Sequence, residues 1–140
     1  MALSIMLTIG TSAFANEEEV NPAVLSSFQK EFSFAKDVKW TVDQKFSIAY
    51  FYLADIRIQA VFSNDGEFLG TERNLLFNQL PLAVINSINN RFGSVGPYDI
   101  IERSSESGTV YKMTIEFANK IIQVQAGTSG DLSIIKKTRK

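Results

Sequence analysis

Residues 46–70 read FSIAYFYLADIRIQAVFSNDGEFLG. An aromatic-rich run with a period of two, a turn at Ala54-Asp55, a second alternating run and a turn at Asn64-Asp65-Gly66 follow one another. Alternation of this kind marks half-buried strands, and Asn-Asp-Gly is a hairpin turn. The stretch therefore predicts three strands of an antiparallel meander. A weaker copy, VYKMTIEFANKIIQVQAGTSGDLSI, occupies residues 110–134.

Working outward, Asn21-Pro22 opens a helix, with Asn as N-cap and Pro at the first helical position. Val24, Leu25, Phe28 and Phe32 then form one apolar stripe. Val38 to Val42 reads as a strand and Asp43-Gln44-Lys45 as a turn, before the meander, which is expected to run through Arg73. The pattern restarts at Leu80-Pro81. Val84, Ile85, Ile88 and Phe92 match the first stripe at one spacing, and Gly93 is placed as a C-terminal cap. Tyr98 to Ile101 corresponds to the Trp40 strand, and Ser104 to Gly108 to the polar turn. Beyond it, Leu53-Ala54-Asp55 matches Phe117-Ala118-Asn119, Ile58-Gln59 matches Ile122-Gln123, and Gly66 matches Gly130. The expected fold is α+β: a tandem repeat of a helix plus a four-stranded antiparallel meander, with both helices on one sheet face. The repeats span about residues 21–76 and 80–138 of a single domain, 21–140. A unit of about 60 residues is marginal alone, so two units sharing a core, side by side or edge to edge, is the physically expected arrangement.

Composition narrows the chemistry. With 14 Lys plus Arg against 15 Asp plus Glu, nothing steers the chain toward nucleic acid or an anionic membrane. There is no cysteine and no histidine. Disulfides, thiol nucleophiles, a Ser-His-Asp triad and an ordinary zinc site are excluded, which leaves carboxylate-only catalysis. No cofactor and no metal is expected.

Residues 1–15, MALSIMLTIGTSAFA, read as a secretory signal peptide: an apolar run too short to span a membrane, then a small-x-small cleavage site before Asn16. No Lys or Arg precedes the run, and the alternative is a buried N-terminal helix. Residues 16–20 are expected to be an acidic, solvated mature N-terminus. After cleavage no membrane insertion is expected, and the location is periplasmic or secreted.

The helix followed by Trp40, the Tyr/Phe alternation, Asn64-Asp65-Gly66-Glu67-Phe68 and Leu80-Pro81 opening a second helix resemble the periplasmic β-lactamase-inhibitor-like, PepSY-like family of Bacteroidetes-type bacteria. The resemblance covers Asn21 to about Lys137; Ile100 stands where a second tryptophan is expected. It implies secretion, tandem helix-plus-sheet units and binding or inhibition of a protein partner.

The matched register assigns the faces. In the second copy Tyr111, Met113, Ile115 and Phe117 alternate with Val110, Lys112, Thr114 and Glu116, so the first set faces the helices. Carried to the first copy, this places Ala49, Phe51, Leu53, Ile58, Ala60 and Phe62 inside. Phe46, Ile48, Tyr50, Tyr52, Arg57, Gln59 and Val61 fall on the other face and are the candidate partner-binding residues. Aromatic side chains with an arginine on a face that should be solvated have the composition of an interface. The alternatives are a face covered by the other half or by a homodimer partner, or a register slip of one residue.

Other candidates are weaker. Asp65-Gly66-Glu67 with Glu72 lacks the ligand order of a calcium loop. Gly93 and Gly96 leave a helix, whereas a phosphate loop enters one. Trp40 reads as a core anchor, Glu102 and Glu106 as solvated carboxylates at a strand end and a turn, and Lys136 to Lys140 as a solubilising tail. The leading expectation is an exported, non-enzymatic module binding an unidentified envelope protein, such as a hydrolase it inhibits or senses. The alternatives are a small-ligand carrier or carboxylate enzyme with a pocket between helices and sheet, and a structural homodimer.

Overall fold

The computed structural model describes residues 14–140, which form one eight-stranded antiparallel sheet and two α-helices. Helix α1 (Pro22–Glu31) precedes strands β1 (Lys36–Val42), β2 (Phe46–Leu53), β3 (Ile56–Ser63) and β4 (Phe68–Leu75). Helix α2 (Leu82–Phe92) precedes β5 (Tyr98–Ser105), β6 (Gly108–Phe117), β7 (Lys120–Gly127) and β8 (Leu132–Arg139). Spatial order follows chain order from β1 to β8, so β4 and β5 join the two groups of four edge to edge. The expected signal peptide lies outside the described residues except for its last two. Of these, Ala15 donates its N–H to the Trp40 carbonyl at 2.7 Å, a single bridge on the β1 edge.

Local chemistry accounts for most boundaries. The Asn21 side chain accepts from the Ala23 N–H at 2.9 Å and Pro22 follows at N1, so α1 starts where the sequence says. Pro81 is instead the N-cap of α2, which has no side-chain cap, and Gly93 at φ 74° ends that helix. The β2–β3 and β6–β7 hairpins turn on two residues each. Ala54 and Asp55 sit at φ 49° and 63°, Ala118 and Asn119 at 49° and 59°, the left-handed pair of a type I′ turn. A third pair, Asp37 at 53° and Asp99 at 51°, lies where the registers of β1 and β5 shift. The β3–β4 and β7–β8 turns press on the helices. A Cβ on Gly66 would lie 2.8 Å from the Ala23 carbonyl oxygen, and one on Gly130 2.5 Å from that of Ala83. Only glycine lets those backbones approach so closely.

Both helices pack on the same sheet face. Under α1, Val24 and Phe28 meet Trp40, Ala49, Phe51, Ala60 and Phe62. The Phe28 ring lies edge-on to Trp40 and Phe51 at 5.1 and 5.2 Å. Under α2, Val84, Ile88 and Phe92 meet Ile100, Met113, Ile115, Ile122 and Val124. Each fully buried large side chain contributes about 1.5–3 kcal/mol of transfer free energy. Between the clusters the helix-side face of β4 and β5 is polar, with Arg73 opposite Glu102 and Thr71 opposite Ser104.

Several expectations need correction. Phe117 is 42% exposed at the margin of the helix face, although its ring still meets Phe92 at 5.5 Å. Glu102 lies within β5 rather than at a strand end, because β5 continues to Ser105. β4 runs to Leu75, two residues past Arg73. A 3-10 turn at Phe77–Gln79 was not anticipated. In the acidic segment Glu17–Glu19 is exposed but forms a 3-10 turn, and Val20 directly after it is buried in the first core.

Candidate functional site

On the face away from the helices, strand pairing places one residue of each strand from β1 to β6 in a row. Lys39 lies opposite Tyr50, Tyr50 opposite Gln59, Gln59 opposite Glu72, Glu72 opposite Arg103, and Arg103 opposite Val110. A second row carries Tyr52 opposite Arg57, Asn74 opposite Ile101, and Ile101 opposite Lys112. Side chains on one face of paired strands stand about 5 Å apart, so these rows form continuous surface.

Two open depressions meet at Glu72. One, of about 350 Å³, is lined by Val61, Glu72, Arg103, Val110, Lys112 and Gln125 among others. The other, of about 280 Å³, is lined by Ile56, Arg57, Gln59, Glu72, Asn74 and Ile101 with Arg73.

The centre is electrostatically organised. Both Nε and Nη2 of Arg103 lie 2.6 Å from Glu72 Oε1, and Glu72 is only 9% exposed. On the helix side of the same two strands the polarity is reversed: Arg73 donates to Glu102 through Nε at 2.6 Å and Nη2 at 3.2 Å. The cause is in the sequence. Glu72-Arg73 and Glu102-Arg103 are the same dipeptide, and antiparallel pairing sets each glutamate against the other's arginine. Removing one partner of a buried pair leaves an uncompensated charge, at a cost of about 3–5 kcal/mol when burial is complete. Burial, then the neighbouring Arg103 charge, pulls the Lys112 ammonium below its usual pKa, against the pull of Glu72. On the opposite face, burial and then the Glu102 carboxylate push the Tyr111 phenol up. The Gln59 side-chain oxygen is enclosed and has no hydrogen-bond partner.

The seven expected binding residues divide. Tyr52 is 43% exposed and Arg57 is also exposed; the Arg57 guanidinium lies 5.9 Å from the Tyr50 ring centre. Tyr50 is half-buried, with the Phe14 ring edge-on at 5.8 Å. Gln59 and Phe46 are half-buried, Phe46 lining neither depression at Glu72. Ile48 and Val61 are 8% and 3% exposed, so the outward register that places them on this face does not make them accessible. What sequence reading missed is the central patch of Glu72, Arg103 and Lys112. Its signal was available in the repeated Glu-Arg dipeptide, but only the pairing of β4 with β5 makes that a site. Among the weaker candidates, Trp40 is 4% exposed in the core, Glu102 is held by Arg73, and Glu106 is exposed in a hairpin turn. Both central carboxylates are engaged by guanidinium groups. No helix of the described residues is long and apolar enough to cross a membrane.

The sequence matches no family profile and no curated protein. Its fold does have solved relatives. A BLIP-like protein from Bacteroides fragilis superposes with a TM-score of 0.73 at 20% identity, over 84% of this chain and 86% of that one. A DUF2874 family protein from Bacteroides ovatus gives 0.71 at 17% identity, over 84% and 86%. A Bacteroides eggerthii protein described as periplasmic by inference gives 0.69 at 14%, over 84% and 87%. The resemblance seen in the sequence thus points to the same group of proteins, and at these identities the likeness establishes the fold alone.

Proposed function

We propose that this chain is an exported, non-enzymatic binding module that engages an envelope protein through the sheet face opposite its helices. The observation that carries the reading is that both helices pack on one face of the sheet, while the other displays Tyr50, Tyr52 and Arg57 beside two open depressions. Tyrosine and arginine supply contact area with a polar end, the chemistry of interface anchors. Ile48 and Val61 are assigned to the floor beneath the contact residues. Periplasmic export is supported by the leader-like N-terminus and by the description of the B. eggerthii relative. Cleavage before Asn16 would remove Phe14 and bare the Tyr50 ring it covers. A hydrolase held inhibited is one partner of this kind, a role suggested by the name of the BLIP-like relative.

We also read the chain as an internal duplication. The order helix, four strands, helix, four strands supports it, as do three matched pairs of left-handed residues and the contacts of Gly66 and Gly130 on Ala23 and Ala83.

The test is capture from envelope extract by the chain from Asn16 onward, beside a Tyr50→Ala/Tyr52→Ala/Arg57→Ala variant with unchanged circular dichroism. A partner held by the parent and lost by the variant is the expected result. A partner held equally by both refutes the choice of face. No partner, with a parent dimer that the substitutions split, makes the face an oligomer seam.

A further inference from the structure

We propose that leader cleavage opens a strand-addition site on the β1 edge. Its occupant is the extended C-terminal tail of another exported protein, with an aromatic residue next to last and a small residue last. The inference rests on the reading of export and cleavage above and is independent of the sheet face chosen there.

Phe14 and Ala15 mark what the edge accepts. Ala15 lies antiparallel to Trp40 and donates its N–H to the Trp40 carbonyl at 2.7 Å, while its side chain packs against the first core. The Phe14 ring lies edge-on to Tyr50 at 5.8 Å, with Lys39 Nζ 5.1 Å from its centre. An aromatic ring at that position thus gains both an edge contact and a cation over its face. Beside the pair, an open groove of about 680 Å³ runs between α1 and β1, with Leu25, Phe28, Phe32 and Trp40 in its lining. Hydrolysis of the Ala15–Asn16 bond, by water and a leader peptidase, removes both residues. The Trp40 carbonyl then lacks its donor and the Tyr50 ring its edge contact. Alternate residues of an antiparallel strand direct their main-chain groups to the same side, so Val42 shares the outward direction of Trp40.

The two sheet edges differ. On β8, Lys136, Lys137 and Arg139 are all exposed, the usual guard against an added strand. On β1 the register shift between Lys36 and Lys39 confines regular pairing to Lys39–Val42, where Lys39 is the one charged residue. Exposed apolar side chains gather here: Val38, Val42 and, in the α1–β1 connection, Phe34 at 84%. That the occupant is a chain end follows from what cleavage leaves behind. Val20 is buried in the first core, and Glu19 donates its N–H to the Asn16 carbonyl at 2.9 Å. Residues 16–20 therefore keep their place and bar an incoming chain from running on past the Ala15 position. Hydrolysis also leaves an α-ammonium on Asn16, largely charged at neutral pH. With Lys39 it outnumbers Glu17 among the charges lining the groove, and Glu18 and Glu19 line none of it. A terminal carboxylate meets net positive charge there.

The probe is the synthetic peptide GTSAFA, residues 10–15 with a free C-terminus, titrated into isotope-labelled chain from Asn16 onward and followed by amide NMR. Shifts should concentrate on the amides of Lys39 to Val42 and of Tyr50. Replacing the peptide's Phe by Ala, or methylating its last amide nitrogen, should weaken binding at least about ten-fold. Extending the peptide by Gly-Ser-Gly-Ser should weaken it about as much. The uncleaved chain, whose edge Phe14-Ala15 already fills, should bind at least about ten-fold more weakly. An unrelated peptide that keeps only the last two residues should bind within about three-fold, and Tyr52→Ala, two residues beyond Tyr50, should change affinity by less than about two-fold. No shift at about 5 mM peptide, or affinities indifferent to the Phe, the N–H, the extension or the uncleaved leader, overturn the inference and leave the sheet face standing. Binding by the leader sequence alone makes the leader itself the occupant and overturns the partner tail. Loss of binding in Tyr52→Ala moves the contact to the sheet face and overturns the edge. The N-terminal mass of the chain recovered from the envelope reads the premise separately: a chain that keeps Phe14 refutes the cleavage reading and this inference with it.

Discussion

Replacing Ile115 by alanine tests whether two cores separated by a polar strip unfold as one body. Ile115 is fully buried under α2, while Trp40, the sole tryptophan, lies under α1 at 4% exposure. Losing three carbons from a packed site costs about 3 kcal/mol. For a chain of this size the urea slope is about 2 kcal/mol/M, so the midpoint should fall by about 1.5 M. The question is whether Trp40 registers that loss. Unfolding the α2 half alone would strip β4 of its neighbour, break five residue pairs between β4 and β5, and separate Glu72 from Arg103 and Arg73 from Glu102. It would also leave about 60 residues with one small core, marginal on their own. Trp40 fluorescence and far-ultraviolet circular dichroism should therefore move together, by the same interval and with one transition. A Trp40 midpoint that stays in place while the dichroism turns biphasic would refute the reasoning and make the seam a boundary between independent units.

Ala54→Asn with Asp55→Gly gives the β2–β3 turn the residues a type I′ hairpin favours, relieving alanine of φ 49°. Stability should rise by about 1 kcal/mol, or about 4 °C in Tm; an unchanged or lower Tm contradicts the turn assignment. Gly130→Ala drives a methyl to within 2.5 Å of the Ala83 carbonyl and should cost about 2–3 kcal/mol, whereas Gly96→Ala, with nothing within 4 Å, should be near neutral in the same urea titration. Lys112→Gln should raise stability at pH 7, because it removes a charge that burial disfavours. Because the folded pKa of Lys112 is below its unfolded 10.5, the unfolded chain binds more protons between the two values and the parent gains stability as pH rises through them. The advantage of the variant should thus shrink toward zero by pH 10.5; a constant difference from pH 7 to 10.5 would remove the buried charge as its cause. Tyr111, whose folded pKa lies above 10.0, makes both proteins less stable as pH rises from 10.0 and cancels in the comparison.

How much of this molecule is legible without coordinates follows from the range of the forces involved. The helix stripe from Val24 to Phe32, the Asn21 cap and the two-residue turns at Ala54-Asp55 and Ala118-Asn119 are set by neighbours a few residues apart, and the chain alone determines them. The same period of two sorts Phe51 and Phe62 inward and Tyr50 and Arg57 outward. Accessibility is another matter: Ile48 and Val61 share the outward register of Tyr50, yet they are buried and Tyr52 is not. The centre of the candidate site lies further still from sequence. Glu72 and Arg103 are 31 residues apart, and their pairing depends on which strand lies beside β4 and in what register. A shift of one residue would set glutamate against glutamate. Alternation determines the face of every side chain, because it is a property of one strand. Only the tertiary structure decides which side chains meet across two, because that register is chosen by the packing of both cores at once.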